Sequence, residues 1–540
     1  MMLEVAYKLN GTILLERLKP IKEGLDGNEG LDHENQCGFR SWRGCLDAIF
    51  SIKMLAKKRR EHGLETWILF LDLVKAFDRV PLELLWSVMA RQGVPPKLIS
   101  LLKALHATVL VKFEVDGVAK SLKQIIGVKQ GDVLGPDLFV FLIAAVMEAW
   151  RAEHEYDVCI FRTARDFKLE GRPPTARGES FGIADSEYAD DTGMPFGSRA
   201  EADALTPQIY SHFERFGMEV HAGIYEVLDD NGKALVAFKE SKTELLYCPA
   251  PARCYFGPHG GVGRHVAAPL DAVDVSDVKL PGGRFVKVVS KFPYLGSWVA
   301  DNCGDAADVD SRVAAASRAF GALRVCVFAS GSVTRAAKRM VYERLVLAIL
   351  LYGCECWCLT EELFDRLRVF HAQCLRVMSR VTRRHTRTHH ISTQAPLGQE
   401  LGLDSIDFYV TRRQLRWAGH VARMPFERLP RRMLSSWVPS RRPQGAAAPR
   451  MTHGRTLRKG LRKFGIDANE WHELAQDRAW WSETLRLGRP ATRRSQRIAA
   501  RPRAQLPQAL RPRPRSRPCS CRVFQDFGVC MCDAARAGFM

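Results

Sequence analysis

The sequence predicts an α+β fold followed by a basic helical region, on three observations. Between residues 67 and 247, short apolar or alternating segments are separated by segments of helical periodicity, in the order strand, helices, strand pair, helix, strand. From about residue 308 the periodicity is mainly helical. From residue 487 onward, 54 residues contain 12 Arg and two Asp without any period. The first part has the order of a split β-α-β sheet with helices on one face.

Local signals place the elements of the first 152 residues. The continuous apolar run Trp67–Leu71 is typical of a buried strand. Pro81 and Gly93 mark the start and end of a helix. Alternating apolar residues before Asp116-Gly117 indicate a hairpin. We therefore expect a helix over 47–60, a strand over 67–71, helices over 81–93 and 97–107, a hairpin at 116–117 and a helix over 136–152.

The second part of the sheet is predicted from a strand pair and a helix. Residues 153–180 are polar and contain Pro and Gly, which favours a loop or an insertion. Residues 180–196 read as two short strands around a turn that holds Asp190 and Asp191. Apolar residues then recur at helical spacing over 202–216, and 245–247 resumes extended structure.

Positive charge is concentrated at the C-terminal end of the chain. Residues 380–540 contain 33 Lys and Arg against 11 Asp and Glu, whereas residues 1–379 contain 47 against 49. A basic segment of this size favours a polyanion partner, with a solvated basic face or a disordered tail as the alternative. No apolar run reaches the roughly 20 residues of a membrane span, so we expect no membrane partner.

The cysteines do not indicate a secreted protein. The 15 Cys are scattered singly, unlike a disulfide scaffold, and no signal pattern opens the chain, so we expect an intracellular protein. The spacing of Cys519, Cys521, Cys530 and Cys532 differs from the usual zinc pattern. Reduced core cysteines are therefore preferred over a zinc site.

Three carboxylates are the candidate catalytic and metal-binding residues. Asp72 directly follows the predicted strand over 67–71, and Asp190 and Asp191 lie in the turn of the strand pair. Adjacent strands of one sheet would bring them together, and two Mg²⁺ ions about 3.5–4 Å apart prefer carboxylate oxygens. Taken singly, an Asp at each of these positions more often stabilises a turn or caps a helix.

The residues around these carboxylates resemble a known family. Phe70–Asp78 together with Tyr188–Asp191 resembles the two metal-binding motifs of reverse transcriptases. Other segments resemble further motifs of that family in the family's order: the fingers motif at 35–49, the nucleotide-positioning motif at 127–139, the last palm motif at 242–244 and the primer-gripping hairpin at 292–297. Segments 351–376 and 415–424 are similar to the thumb and post-thumb regions of non-LTR (LINE-type) retrotransposons.

The resemblance implies a right-hand polymerase that carries out RNA-templated DNA synthesis with two Mg²⁺ ions. The implied division is partial fingers over 1–60, a palm with the remaining fingers elements over 61–300, a helical thumb over 301–385, a basic helical extension over 386–486 and a disordered Arg/Pro-rich tail over 487–540. The family's upstream endonuclease is absent, so we expect an N-terminally truncated sequence served by a separate endonuclease, or a decayed copy.

The resemblance also implies roles for individual residues. Asp72, Asp190 and Asp191 would ligate the metal ions, with Asp191 the weaker ligand. Phe77 takes the place of the steric gate that rejects a 2′-hydroxyl, although its type alone favours a core aromatic. The implied nucleotide-binding residues are Arg40, Leu73, Phe77, Gln130, Gly131 and Lys242, and the implied primer grip is Tyr294, Leu295 and Gly296.

Two other functions remain open from the sequence. An RNA-directed RNA polymerase shares the carboxylates, but Phe77 and the Tyr-Ala-Asp-Asp turn argue against it. A catalytically inactive remnant would still bind RNA or DNA through residues 380–463. The implied partners of the active protein are template RNA, primer or target DNA and deoxynucleoside triphosphates, and priming on chromosomal DNA would place it in the nucleus.

Overall fold

The computed structural model describes thirteen ranges of the chain, all within residues 1–490, which form one unit by their contacts. These ranges are 5–24, 34–107, 110–115, 118–123, 126–129, 131–154, 159–163, 178–225, 227–228, 234–250, 275–381, 395–439 and 452–488. Gln130, the C-terminal cysteines and the predicted tail beyond residue 488 lie outside the described residues. Among the described helices, none is long and apolar enough to cross a membrane.

Helices and strands are mixed up to residue 300. The helices of this part are α1 (Val5–Glu23), α2 (Cys45–Glu61), α3 (Leu82–Arg91), α4 (Pro96–Ala107), α5 (Gly135–Glu153) and α6 (Arg199–Arg215). The strands are β1 (Thr66–Leu71), β2 (Leu110–Val115), β3 (Val118–Lys123), β4 (Cys159–Thr163), β5 (Glu179–Ile183), β6 (Ser186–Tyr188), β7 (Asp191–Phe196), β8 (Gly223–Ile224), β9 (Val227–Leu228), β10 (Ala234–Val236), β11 (Glu244–Cys248), β12 (Val278–Leu280), β13 (Arg284–Val289), β14 (Lys291–Tyr294) and β15 (Ser297–Ala300).

After residue 300 the described chain is mainly helical, as predicted. Its helices are α7 (Ala306–Ala322), α8 (Arg335–Val341), α9 (Leu347–Leu350), α10 (Glu361–Met378), α11 (Ala395–Leu401), α12 (Ile406–Ala422), α13 (Leu429–Leu434), α14 (His453–Lys463), α15 (Trp471–Leu474) and α16 (Arg478–Leu487). Strand β16 (Ser436–Trp437) interrupts this helical part.

The main sheet has β1 at its centre. Six strands follow the order β12-β13-β11-β1-β7-β6, and β8 pairs with β13 as the seventh. Strand β1 is antiparallel to both β7 and β11, whereas β11 and β13 are parallel. The predicted strands over 67–71 and 245–247 are confirmed. Residues 180–196 form three strands rather than the predicted two, because β5 pairs with β4 outside the main sheet. Strands β6 and β7 pair around the turn that holds Asp190, and Asp191 is the first residue of β7.

Strand β1 is buried on both faces, unlike the sheet with helices on one face that the sequence predicts. Trp67, Leu69 and Leu71 join the main hydrophobic core together with residues of α5 and α6. On the opposite face, Phe70 stacks on Phe292 of β14 with ring centroids 4.2 Å apart. This burial explains why β1 reads as a continuous apolar run rather than an alternating one.

The segment predicted as a loop or an insertion over 153–180 also contains strand structure. Strands β4 and β5 pair antiparallel, and β4 pairs on its other edge with β16. Phe161 and Phe181 face each other across the pair with centroids 5.9 Å apart. Because β16 lies more than 270 residues further along the chain, local periodicity does not reveal this sheet.

The buried carboxylate of Asp308 on α7 joins the sheet to the helical region. Its Oδ2 accepts hydrogen bonds from Lys53 Nζ on α2 at 2.8 Å and Ser297 Oγ on β15 at 2.6 Å. Trp357 Nε1 donates to the same oxygen at 2.8 Å, and the Trp298 backbone N–H donates to Oδ1 at 3.3 Å. Burial alone would raise the pKa of Asp308, but Lys53 and these hydrogen bonds hold the pKa below its ordinary value.

A second carboxylate reinforces the same junction. Asp305 accepts from Lys57 Nζ of α2 at 2.9 Å and from the Cys358 backbone N–H at 2.7 Å. Lys57 also donates to the Cys356 carbonyl at 3.0 Å. Helix α2 is therefore held to the start of α7 by two adjacent, largely buried ion pairs.

We expect Asp308→Asn to destabilise the protein by about 3–5 kcal/mol, because it leaves the buried Lys53 ammonium without its closest carboxylate. Urea unfolding of the full chain measures this difference. Asp310→Asn is the matched control on the same helix, where the exposed pair with Arg366 contributes less than about 1 kcal/mol. Adding Lys53→Met to Asp308→Asn should recover part of the lost stability. Equal losses of stability in Asp308→Asn and Asp310→Asn would contradict a structural role for the buried Asp308 carboxylate.

Candidate active site

The strand register brings Asp72 and Asp191 to one end of the central strands. Leu71 is opposite Thr192 across β1 and β7, so the next residue, Asp72, continues the register opposite Asp191. Opposite residues of antiparallel strands have Cα atoms about 4.5–5.5 Å apart. On the other edge the ladder with β11 ends at Phe70 and Glu244, and beyond it the residues bonded to Asp72 are His221 and Thr243 rather than Lys242. Two carboxylates thus converge at the end of β1.

Backbone contacts hold Asp72 at this position. Its N–H donates to Thr243 Oγ1 at 3.1 Å, and its carbonyl accepts from the His221 N–H at 2.8 Å. Thr243 directly precedes β11, and His221 lies just before β8. The backbone of Asp72 is therefore fixed just beyond the last ladder pairs of β1, and its carboxylate remains half-buried.

Burial and neighbouring carboxylates raise the pKa values of Asp190 and Asp191. Burial raises the pKa of Asp191 to about 6, and the charges of Asp190 and Asp72 add to this effect. Burial and Asp72 also raise the pKa of Asp190 above its ordinary value. The site therefore carries an excess of negative charge that a hard cation would neutralise.

The donor set fits a divalent cation in its chemistry, because the converging groups are carboxylates whose charges repel one another. Their side chains are not gathered around one point, however. Within the ranges that the structure describes, no group of three or more His, Cys, Asp or Glu side chains forms a ready metal site. Rotation of the Asp72, Asp190 and Asp191 side chains would be needed to bring their oxygens onto a shared ion.

The turn between β6 and β7 has an unusual backbone. Ala189 adopts the left-handed conformation with φ +58°, which is uncommon for a residue with a side chain. Gln36 supports this turn from the side, because its Oε1 accepts from the Ala189 N–H at 2.9 Å and from the Gly38 N–H at 2.7 Å. A Cβ at Gly38 would lie 2.3 Å from the Ala189 nitrogen, so only glycine allows this close approach.

A buried polar network lies under the turn. Glu187 Oε2 accepts from Gln36 Nε2 at 3.0 Å, and Arg151 of α5 bonds Asp185 at 2.6 Å and Glu187 at 3.4 Å. Asn35 Nδ2 also donates to Asp185 at 2.9 Å. Burial and the neighbouring Asp185 raise the pKa of Glu187 to about 8. Two buried carboxylates therefore share one guanidinium, and a proton on Glu187 relieves their repulsion.

Sequence reasoning did not identify Gln36, Asp185, Glu187 or Arg151 as supports of the site. Gln36 belongs to the segment that resembles the fingers motif, but nothing in that motif indicates that Gln36 contacts Ala189, 153 residues further along the chain. Glu187 sits on a strand of only three residues, where an acidic residue usually faces solvent. The signal that identifies Glu187 is the burial of its carboxyl beside the turn of Asp190, and burial is known only from the structure.

The steric-gate candidate lies beside the segment predicted to position the nucleotide. Val128 donates from its backbone N–H to the Phe77 carbonyl at 2.8 Å, and Gly127 donates to the Val80 carbonyl at 2.8 Å. Gly127 has φ +83°, and a Cβ there would lie 2.5 Å from the Asp78 carbonyl oxygen. The half-buried Phe77 ring stacks on Phe139 with centroids 4.8 Å apart. The structure therefore brings the two predicted motifs together.

The other predicted nucleotide-binding residues occupy different environments. Gly131 is exposed, and a Cβ there would meet no atom within 4 Å. Lys242 is exposed at the strand ends. Leu73 is only 8% exposed and belongs to the core, so only its backbone could reach a nucleotide. The Arg40 side chain is 6% exposed and pairs with Glu23 at 3.5 Å, so contact with a triphosphate requires this pair to open.

The predicted primer grip is a hairpin that packs against the sheet. Leu295 and Gly296 form the turn between β14 and β15, both with positive φ, at +49° and +76°. Tyr294 is buried, and its hydroxyl donates to the Ser186 carbonyl at 2.9 Å. Tyr352 donates to the Leu295 carbonyl at 2.9 Å. The turn residues thus remain available to a ligand, while Tyr294 anchors the hairpin to β6.

Glu187→Gln should change how stability depends on pH. Because the pKa of Glu187 is raised in the folded state, the native protein binds more protons than the unfolded chain between about pH 4.5 and 8. The stability of the parent should therefore fall across this range relative to Glu187→Gln, as thermal melts at pH 5.5, 7 and 9 would measure.

The control for this measurement is Glu240→Gln. Glu240 is 68% exposed, and its hydrogen bond with Lys287 lowers its pKa, so this variant should track the parent from pH 5.5 to 9. A constant difference in Tm between Glu187→Gln and the parent would contradict a buried carboxyl that is protonated near neutral pH.

Three comparisons bear on this site. Residues 1–224 match the family model described as reverse transcriptase (RNA-dependent DNA polymerase). A transposon-derived protein of Caenorhabditis elegans is 22% identical over 308 residues, which cover 56% of this chain and 95% of that protein. The retrovirus-related Pol polyprotein from type-1 retrotransposable element R2 of Bradysia coprophila is 26% identical over 118 residues, covering 22% of this chain and 14% of the polyprotein. Residues 1–224, which include all three carboxylates, are thus a reverse transcriptase domain, and the chain is related to proteins of non-LTR retrotransposons.

Proposed function

We propose that the protein is an RNA-directed DNA polymerase that adds deoxynucleotides to a primer 3′-hydroxyl. The observation that carries this proposal is the convergence of Asp72 and Asp191 at the ends of adjacent strands, with Asp190 in the turn between β6 and β7. The match of residues 1–224 to reverse transcriptases supports it.

Asp72, Asp190 and Asp191 are the residues that would hold two Mg²⁺ ions. When bound, these ions would lower the pKa of the primer 3′-hydroxyl and neutralise charge on the leaving pyrophosphate. Gln36 and the network around Glu187 keep the turn of Asp190 in place for this task. The exposed Lys242, two residues before β11, would contact the leaving pyrophosphate.

Several other residues would bind the substrates. Phe77 would exclude a ribose 2′-hydroxyl, since its ring is already fixed against Phe139. Gly131 has open space for a nucleotide beside it, and Gln130 is retained as a neighbouring candidate. Arg40 would bind the triphosphate once its ion pair with Glu23 has opened. The turn at Leu295 would support the primer strand.

We propose that the chain is organised as a right hand. Residues 1–60 would be partial fingers, 61–300 the palm, 301–385 the thumb and 386–486 a basic extension. The ion pairs between α2 and α7 support a rigid junction between the first and third of these parts. Helix α14 buries Leu457 and Leu461 and leaves a basic face that is suited to the phosphates of template RNA or target DNA. Work on chromosomal DNA would place the protein in the nucleus, with nicking supplied by a separate endonuclease.

Asp190→Asn should reduce primer extension by about 1000-fold or more, because metal-ion charge stabilisation supplies several kcal/mol to such reactions. The assay is extension of oligo(dT) on poly(rA) with dTTP and Mg²⁺, with parent and variant side by side. Asp203→Asn removes a carboxylate that is 42% exposed and pairs with Arg199, and it should extend the primer like the parent.

A different result would favour the alternative function. If neither the parent nor Asp190→Asn extends the primer while both shift it in a low-salt binding assay, the protein is a remnant that binds nucleic acid. Equal extension by the two proteins would overturn the role of Asp190.

Phe77→Val should raise incorporation of ribonucleotides relative to deoxynucleotides by at least about 10-fold, because Val lacks four of the side-chain carbons of Phe and even one methylene in a pocket changes discrimination by about this amount. The ratio of kcat/KM for UTP and dTTP measures it. Phe139→Leu is the control, because it removes the fully buried ring on which Phe77 stacks. That variant should lose stability but keep its sugar selectivity, and a similar change in both variants would indicate a packing effect.

A further inference from the structure

The loop over residues 38–44 touches the catalytic turn at both of its ends. At its start, Gly38 lies against Ala189, and the Phe39 ring is 6.3 Å from the Tyr188 ring. At its end, burial and the neighbouring Cys45 thiol raise the pKa of the Tyr188 hydroxyl. Trp42 is three residues from both Phe39 and Cys45, so its Cα lies within about 11 Å of each.

The backbone of this loop is strained and firmly anchored. Phe39 and Trp42 have φ of +53° and +61°, a conformation that bulky residues rarely adopt. Lys22 Nζ donates to the Phe39 carbonyl at 2.6 Å, and the Ser41 N–H donates to Glu23 Oε1 at 2.8 Å. From the helical part, Arg428 donates to the Trp42 carbonyl at 3.2 Å. Contacts from two distant segments thus maintain a conformation that the loop would not adopt alone.

These contacts present the Trp42 ring to solvent. Its residue is 75% exposed, whereas the other ten tryptophans of the chain, all of them described, are buried or half-buried. An exposed indole has no value for packing, and the left-handed backbone beneath it is unfavourable. An indole on a backbone anchored in this way is suited to stacking, because the backbone loses little conformational freedom when a planar ligand binds.

We propose that Trp42 stacks on an unpaired nucleobase of the template strand beside the catalytic turn, a role that rests on the proposed polymerase function. The base of an incoming nucleotide is already occupied by pairing and by stacking on the primer end. The next template base is unpaired and offers a free face.

The charges around the loop favour stacking over phosphate binding at this point. Arg43 pairs with Glu34 at 2.9 Å, and Arg428 pairs with the same glutamate at 2.7 Å. Arg428 also lies 3.7 Å from Asp47, so the two arginines beside Trp42 have two acidic partners between them. The contribution of Trp42 to binding should depend little on salt, unlike contacts to phosphate.

The test uses the full chain, without nucleotide, and a fluorescein-labelled RNA template annealed to a DNA primer with a short single-stranded overhang. Trp42→Ala should weaken the Kd by about 5- to 100-fold, the usual range for loss of one base–aromatic stack. Trp42→Phe should retain most of the affinity. The slope of log Kd against log salt should be the same for Trp42→Ala and the parent.

A template with one abasic nucleotide at the first unpaired position isolates the stack. On this template the parent should fall to the affinity of Trp42→Ala, and the variant should show no further loss. Phe238→Ala, which removes another exposed aromatic ring, is the matched control and should behave like the parent on both templates. Trp42→Gly should also lose affinity while keeping or raising Tm, because glycine accepts the left-handed backbone.

The outcomes separate this proposal from the polymerase function. Loss of template affinity in Trp42→Ala supports the stack even if the parent extends no primer. An unchanged template Kd combined with a raised KM for dTTP would assign Trp42 to the incoming base and overturn the proposal. Equal affinities of the parent for intact and abasic templates would also overturn it.

Discussion

The buried Asp308 carboxylate is the contact on which the join between the sheet and the helical region depends. It receives donors from α2, from the β15 strand and from the segment after α9, which are separated by up to 300 residues of chain. Removing such a carboxylate from water is costly, and only this full set of donors compensates for it. The position of α2 then affects the candidate site, because α2 begins at Cys45, directly after the loop whose Gly38 packs against Ala189 of the turn that holds Asp190.

Backbone strain is concentrated around the turn that holds Asp190. Of the seven described non-glycine residues with positive φ, five lie on segments that form or adjoin the candidate site: Phe39, Trp42, Lys75, Ala189 and Leu295. Such conformations persist only where surrounding contacts over-determine them. Here the contacts come from Gln36, from Lys22 and Glu23, and from Arg428. The site therefore depends on elements on both sides of it in the sequence.

The buried polar network gives the turn a support that apolar packing would not provide. Gln36 uses its oxygen for two backbone N–H groups and its nitrogen for Glu187, so its orientation is determined. Glu187 and Asp185 share Arg151, and the raised pKa of Glu187 keeps the total charge low. Fully satisfied networks of this kind specify one arrangement, because every alternative leaves a buried polar group without a partner.

The sequence by itself determined the main strands and most helices, and it singled out the three carboxylates as candidates. Continuous apolar runs, turn residues and ordered motifs are local signals, so Trp67–Leu71 and the turn at Asp190 could be predicted without tertiary contacts. Only the tertiary structure decided that β1 is covered on both faces, that β4 and β5 pair with a strand near residue 436, and that Glu187 lies buried under the turn. It also decided that Arg40 is paired with Glu23 and that Trp42 faces solvent. The physical reason is that burial and ion pairing depend on segments far apart in the chain, whereas periodicity reports only on near neighbours.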